Sequence, residues 1–254
     1  MSVENSVRHS LDNIGPVIQS PLAVAWAKGK QAAWENRFIG ICLWLVGILI
    51  VVGYYRVEPV REVLNSLGDW KIRSGWIFAV ISTSVFGGLL PVLLPRLFAM
   101  LKLSERPVSQ SKHNFWMLLI SNGIFWGYKG WEIDTFYRVQ SWLFGNAADF
   151  STIAAKTIFD MAVFAPTIGL FNCVLFYIWR DNDYSLIRTR RNLGPNWYTR
   201  KVLPALISNA AVWTPAVIVI YSLPPALQLP VQNLILCAWV LVLVFFTQAE
   251  PTPE

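Results

Sequence analysis

Charge is scarce in this chain. Asp, Glu, Lys and Arg make up 14% of its 254 residues, against about 25% in an ordinary soluble domain. That is too little to clothe a water-facing surface, which excludes a soluble globular protein. Histidine is nearly absent. His9 and His113 both fall in polar connections, and no Cys/His pair has the spacing of a metal site. The three cysteines, Cys42, Cys173 and Cys237, each stand alone in an apolar run. They read as small buried hydrophobes rather than as disulfide partners. No glycine-rich loop leads into Lys-Ser or Lys-Thr, and no Gly-x-Ser-x-Gly elbow occurs. The chain carries no enzyme signature, and no metal or other cofactor is expected. A cleavable secretory signal is not expected either, because residues 1–35 lack a short apolar core and include Glu4, Asp12 and Glu35.

What the chain has in abundance is apolar length. It is 55% hydrophobic with a mean hydropathy of +0.45. Thirteen tryptophans accompany the apolar runs, a residue enriched where a bilayer meets water. Six apolar segments stand out, at residues 38–55, 75–94, 115–126, 157–179, 202–221 and 226–246. Most reach the ~20 residues a helix needs to cross the hydrocarbon core. The third is short: it is a short span, a re-entrant segment, or a span extended by residues 131–144. The runs are continuously apolar and longer than the ~10 residues of a barrel strand, and a backbone in lipid must satisfy its own hydrogen bonds. The expected fold is therefore all-α, a polytopic integral membrane helix bundle of about six (four to six) transmembrane helices. It would occupy residues 36–248, between an N-terminal segment of 1–35 and a short polar tail of 249–254. The N-terminal segment has a patchy apolar face broken by Pro16 and Pro21, which fits an interfacial segment or plain disorder.

The net charge is +6. The basic residues sit between the apolar runs, so they read as topology signals that face anionic lipid head groups, and nucleic acid is not an expected partner. With six spans, fourteen Lys and Arg fall on the side of the N-terminus and seven on the other, which satisfies the positive-inside rule. The seven include Lys129, Arg138 and Lys156, assigned to the connection between the third and fourth spans. Residues 180–201 hold six basic residues, and Arg188, Arg190 and Arg191 are the candidates for binding lipid head groups.

Asp160 is the sharpest single residue, an acid inside the fourth apolar run. Lys156 lies one helical turn earlier on the same face and is its expected ion-pair partner. Asp160 either faces a wet cavity or forms an interfacial ion pair. Asn172, Ser208 and Asn209 also lie within spans, and their amides and hydroxyl should face the bundle interior, as pore lining or as glue between helices. Pro91, Pro95, Pro166, Pro204 and Pro215 each remove a backbone donor and kink a helix.

Lys156, Asp160 and Phe164-Ala165-Pro166, with Phe136-Tyr137-Arg138 upstream and Trp213-Thr214-Pro215-Ala216, Leu223-Pro224 and Trp239 downstream, form a series in the second half of the chain that resembles the Mpv-seventeen family of peroxisomal and mitochondrial inner-membrane proteins. Lys156, Asp160 and Pro166 are similar to that family's Lys-x-x-x-Asp-Gln-x-x-x-x-Pro signature. Phe136-Tyr137-Arg138 with Trp142-Leu143-Phe144 looks like its His-x-Trp-Tyr-x-x-Leu-Asp stretch. Trp213, Pro215, Tyr221, Pro224, Gln232 and Trp239 resemble its closing pattern. Met161 stands where the family has Gln, and Thr214 separates Trp213 from Pro215. The resemblance covers roughly residues 123–246. It implies a small, cofactor-free helical protein of an organelle membrane, the mitochondrial inner membrane first and the peroxisomal membrane second.

Two functions follow as expectations. The first is a channel or pore for small solutes or ions, with Lys156, Asp160, Asn172 and Asn209 as its interior polar groups. The alternative is a non-conducting accessory subunit of a larger membrane complex. Either accommodates a homo-oligomer. A coupled transporter ranks below both, since it would show more buried charge and clearer repeats.

Overall fold

The computed structural model describes residues 20–101 and 114–249, with side chains to 241. The described residues form helices and no strands. Nine helices are numbered in chain order: α1 (Pro21–Glu35), α2 (Arg37–Arg56), α3 (Glu58–Ser74), α4 (Trp76–Met100), α5 (Phe115–Phe144), α6 (Phe150–Asp181), α7 (Leu186–Leu193), α8 (Tyr198–Tyr221) and α9 (Pro225–Ala249). Four of them, α2, α4, α6 and α8, are long and apolar enough to cross a membrane. The protein is an all-α integral membrane helix bundle.

Local sequence sets the helix ends. Asn114 caps α5 by accepting from the Trp116 N–H at 2.9 Å. Asp149 caps α6, accepting from the Ser151 hydroxyl and from the N–H and hydroxyl of Thr152. These donors hold its carboxyl well below the usual carboxylate range. Gly75, Gly145 and Gly194 end α3, α5 and α7 at positive φ with extended ψ, a backbone region open essentially to glycine alone. Helix α3 falls between two apolar runs and is new relative to the sequence reading. Glu58 in its first turn and Lys71 and Arg73 in its last complement the helix dipole.

Six helices, α2, α4, α5, α6, α8 and α9, alternate in direction. Gly40 and Gly47 of α2 pack on Val212 and Val219 of α8, so this pair is parallel. Gly88 of α4 meets Asn122 of α5 while Ala79 meets Gly130, so these two are antiparallel. Lys129 bonds the Gly169 carbonyl while Gln140 bonds that of Lys156, which makes α5 and α6 antiparallel too. The start of α2 and the end of α9 thus share one end of the bundle with α7. The third apolar segment continues through residues 131–144 as the single helix α5.

Helix α5 carries apolar residues outside and charged residues inside. Trp116, Ile120 and Ile124 lie on its exposed face, and Ile124 is 70% exposed. Lys129, Glu132 and Asp134 are buried. Lys129 and Lys156, assigned by sequence to an outer connection, are in fact inside the bundle at 3% and 2% exposure. They cannot act as flanking topology charges. The reason is that the helices do not break there: α5 runs on through Phe144 and α6 starts at Phe150, so both lysines lie within packed helices instead of in a connection.

Three prolines are absorbed by wider turns. Pro166 lies inside a π-helical stretch, Asp160–Gly169, Pro91 follows another, Ser84–Leu89, and Pro204 follows a third, Tyr198–Val202. Proline lacks an N–H, and its ring clashes with the carbonyl one turn back. Widening the turn removes both conflicts without breaking the helix.

Of the N-terminal segment, residues 21–35 form α1, packed along α8 with Gly29 against Ile207. The expected tail lies outside the described residues except at 249.

Close approach of α4 and α5 rests on glycine. A Cβ on Gly130 would lie 2.1 Å from the Ala79 carbonyl oxygen, and one on Gly88 would lie 2.7 Å from that of Asn122. Gly130→Ala is expected to cost about 1–3 kcal/mol by forcing the backbones apart, read as a lower midpoint of thermal unfolding in detergent. An unchanged midpoint would contradict this packing.

Candidate functional site

Polar groups that cannot face lipid are clasped between helices. The ammonium of Lys129 donates to Glu132 and to the Gly169 carbonyl. The other Glu132 oxygen accepts from Asn172 of α6 at 2.9 Å. Asp134 forms an ion pair with Lys71 of α3 at 3.0 Å and accepts a hydrogen bond from Arg138 at 2.9 Å, which fastens α3 to α5. Thr83 of α4 donates to the Asn233 side-chain oxygen at 3.0 Å, and Asn233 donates to Ser82 at 2.8 Å. These contacts tie α3, α4, α5, α6 and α9 together inside the bundle, where an unmet polar group is costly.

Five helices, α4, α5, α6, α8 and α9, leave a cavity of about 610 Å³ between them. Its wall follows α5 from Tyr137 back to Trp126, α6 from Asp160 to Tyr177, and α8 from Ile220 back to Asn209. Along α5 that is roughly 16 Å at 1.5 Å per residue. Given the alternating directions, all three stretches run toward the end of the bundle that carries α7. Two of the three π-helical stretches contribute to the wall, through Gly87 on α4 and through residues of 160–169 on α6.

At the other end the lining stops at Tyr137, Asp160, Ile220 and Gln232. The Tyr137 hydroxyl donates to the Gln232 side-chain oxygen at 2.5 Å, and the Tyr221 hydroxyl donates to Asp160 Oδ2 at 2.6 Å. Behind them Gln140 and Lys156 are fully buried. The cavity therefore ends blind at a polar plug contributed by four helices.

The candidate residues divide accordingly. Asp160 and Asn209 line the cavity. Asn172 does not; it clasps α5. Lys156 does not line it either, and the expected Lys156–Asp160 ion pair is not formed. Both side chains go instead to Tyr221: the ammonium lies 5.9 Å from its ring centroid, while the hydroxyl takes the carboxylate. Ser208 is half-buried on α8. Of the residues in the resemblance, Tyr137, Trp213 and Trp239 line the cavity with Asp160. Pro166 sits in the π-helical stretch, where its carbonyl accepts from Tyr198 at 3.0 Å. Pro215 lies inside α8, and Pro224 forms the turn into α9.

The clasp of Lys129, Glu132 and Asp134 was not foreseen from sequence. Its signals were present: Lys129 and Glu132 are three apart and Asp134 and Arg138 four apart, both helical spacings.

Arg188 pairs with Asp183 on the short helix α7, which Ser185 caps. Arg190 and Arg191 are exposed.

No protein-family model matches the chain, and no curated protein or solved structure is similar to it.

Glu132→Ala leaves the Lys129 ammonium buried with a carbonyl alone, an expected loss of about 3–5 kcal/mol. Lys129→Met together with Glu132→Leu removes both charges and is expected to recover most of that loss. Thermal unfolding of the three purified variants checks this, and equal damage in the single and double variants would show that the pair is not the cause.

Proposed function

We propose that the protein provides a pathway for small solutes across its membrane, held shut by the polar plug at Tyr137, Asp160, Tyr221 and Gln232. The observation that carries this reading is the long cavity, which runs from that plug toward the α7 end of the bundle. A purely structural bundle has no need of such a space, and close packing is the rule in protein interiors. The plug suits a gate because it is made of hydrogen bonds between side chains of different helices. Its opening needs rotamer changes, not rearrangement of the bundle. The resemblance of residues 123–246 to the Mpv-seventeen family adds support, since its Tyr137, Asp160, Trp213 and Trp239 meet at this one cavity.

Flux of glycerol into proteoliposomes tests the proposal. Wild-type protein is expected to give a low but measurable flux. Replacing Tyr137 by Phe removes a bond with a net value of about 1 kcal/mol and is expected to raise flux roughly fivefold by shifting the closed–open balance. Sealed vesicles in both cases would overturn the pathway and leave the fold a structural role in a larger assembly.

We also propose that α7 rests on an anionic lipid surface. Leu186 and Ile187 are 76% and 75% exposed beside Arg188, Arg190 and Arg191, the arrangement of an interfacial anchor. A basic residue near such a surface contributes about 1 kcal/mol. Replacing the three arginines by Gln is expected to lower the acidic phospholipid that co-purifies in detergent, measured by lipid mass spectrometry. Unchanged lipid would limit these charges to a role in topology.

A further inference from the structure

Lys156 is 2% exposed, and among the described residues its ammonium meets no carboxylate and no hydrogen-bond acceptor. What it has is the ring of Tyr221, 5.9 Å away at the centroid, which is the outer limit of a cation–π contact. Asp160, one turn on, is not its partner. That carboxylate takes the Tyr221 hydroxyl and lies in the field of Lys129.

Two polar atoms near Lys156 are also without partners. Among the described residues four buried side-chain atoms lack a hydrogen bond, and Gln140 Oε1 and Thr157 Oγ1 are two of them. Gln140 is fully buried and Thr157 is 7% exposed. Gln140 lies against this turn of α6, where its Nε2 donates to the Lys156 carbonyl at 3.3 Å. Gln140 follows Tyr137 by one turn of α5, and Lys156 and Thr157 precede Asp160 by one turn of α6. Because the two helices are antiparallel, all three lie past the plug, on the side away from the cavity. From Gln140 the end of α5 at Phe144 is about 6 Å further at 1.5 Å per residue.

The balance of donors and acceptors names the occupant. An ammonium only donates, an amide oxygen only accepts, and a hydroxyl does both. An anion would satisfy Lys156 and be repelled by Gln140 Oε1. A metal cation would do the reverse. Water accepts from one and donates to the other, and a buried water typically makes about three such bonds. An ammonium inside a membrane bundle is tolerated where it meets water.

We infer that Gln140, Lys156 and Thr157 hold ordered water behind the plug, and that this wet site is the second half of the pathway, where the Lys156 ammonium turns cations away. This rests on the pathway reading and names its solutes: small neutral polar molecules in preference to cations. A fixed positive charge at a constriction is an electrostatic barrier to a cation and none to a neutral molecule.

The site and its selectivity are tested separately. An electron-density map of the purified full-length protein, sharp enough to show bound water, is expected to place water within hydrogen-bond distance of Lys156 Nζ and of Gln140 Oε1 or Thr157 Oγ1. Direct bonds among the three side chains, with no water between them, would overturn the inference. Thr157→Val removes the hydroxyl and keeps the shape. It is expected to lower the midpoint of thermal unfolding in detergent, since a water-bonded hydroxyl is lost, whereas a raised midpoint would mark a dry hydroxyl and count against the site. Urea and guanidinium share one planar shape and differ by one charge. Proteoliposomes with wild-type protein are expected to pass urea roughly tenfold faster than guanidinium. Lys156→Gln is expected to raise guanidinium flux roughly fivefold and leave urea flux unchanged, and Lys156→Met serves if that variant fails to fold. Equal flux of the two solutes through wild-type protein, or unchanged guanidinium flux in a folded Lys156 variant, would remove the charge barrier and the inference with it. Urea flux through a protein whose site is dry sinks this inference alone. Water at the site in vesicles sealed to urea sinks the pathway while the wet site stands.

Discussion

A charged side chain cannot face lipid cheaply, and α5 carries four within ten residues: Lys129, Glu132, Asp134 and Arg138. The whole arrangement follows from hiding three of them. Helix α5 exposes its Trp116–Ile120–Ile124 stripe, while Glu132 and Asp134 point to different neighbours, which must supply partners. Helix α6 supplies Asn172 and a carbonyl, and α3 supplies Lys71. Helix α4 supplies no charge. It closes the remaining side by approaching through glycine until backbones nearly touch.

The same constraint produces the cavity. Helices held together by polar clasps are spaced by those clasps as much as by apolar packing. In lipid there is little hydrophobic drive to collapse what remains. The π-helical stretches of α4 and α6 displace their backbones on the wall. A space bordered by rings and small residues persists alongside them, ending where Tyr137, Tyr221, Gln232 and Asp160 complete one another's hydrogen bonds. Structure and candidate function thus share one origin. The groups that close the plug also join helices α5, α6, α8 and α9.

Tyr221 illustrates how a tertiary neighbour redirects a local expectation. One turn apart on one helix, Lys156 and Asp160 have the spacing of an ion pair. The ring of Tyr221, delivered by α8 from about sixty residues away, offers a hydroxyl to the acid and a π-face to the base. This separates the two charges. It leaves Asp160 at the end of the cavity with the Tyr221 hydroxyl as its hydrogen-bond donor.

The sequence by itself determined the class of fold, because the length and apolarity of six runs are local properties and lipid tolerates only helices there. It also marked Asp160 and Asn209 as interior groups, since a lone acid or amide in an apolar run has nowhere else to go. Helix α3 and the single helix α5 were legible in part, through terminal charges and charge spacing, but their polar composition concealed them among connections. Tertiary structure decided which polar groups meet. The Lys129–Glu132–Asn172 clasp, the Asp134–Lys71 tie and the partition of Asp160 from Lys156 each join residues of different helices or choose between rival partners. Nothing in the spacing along one helix specifies which face of another will lie against it. The cavity is the clearest case: it belongs to no segment, and it exists only as the space that five packed helices leave between them.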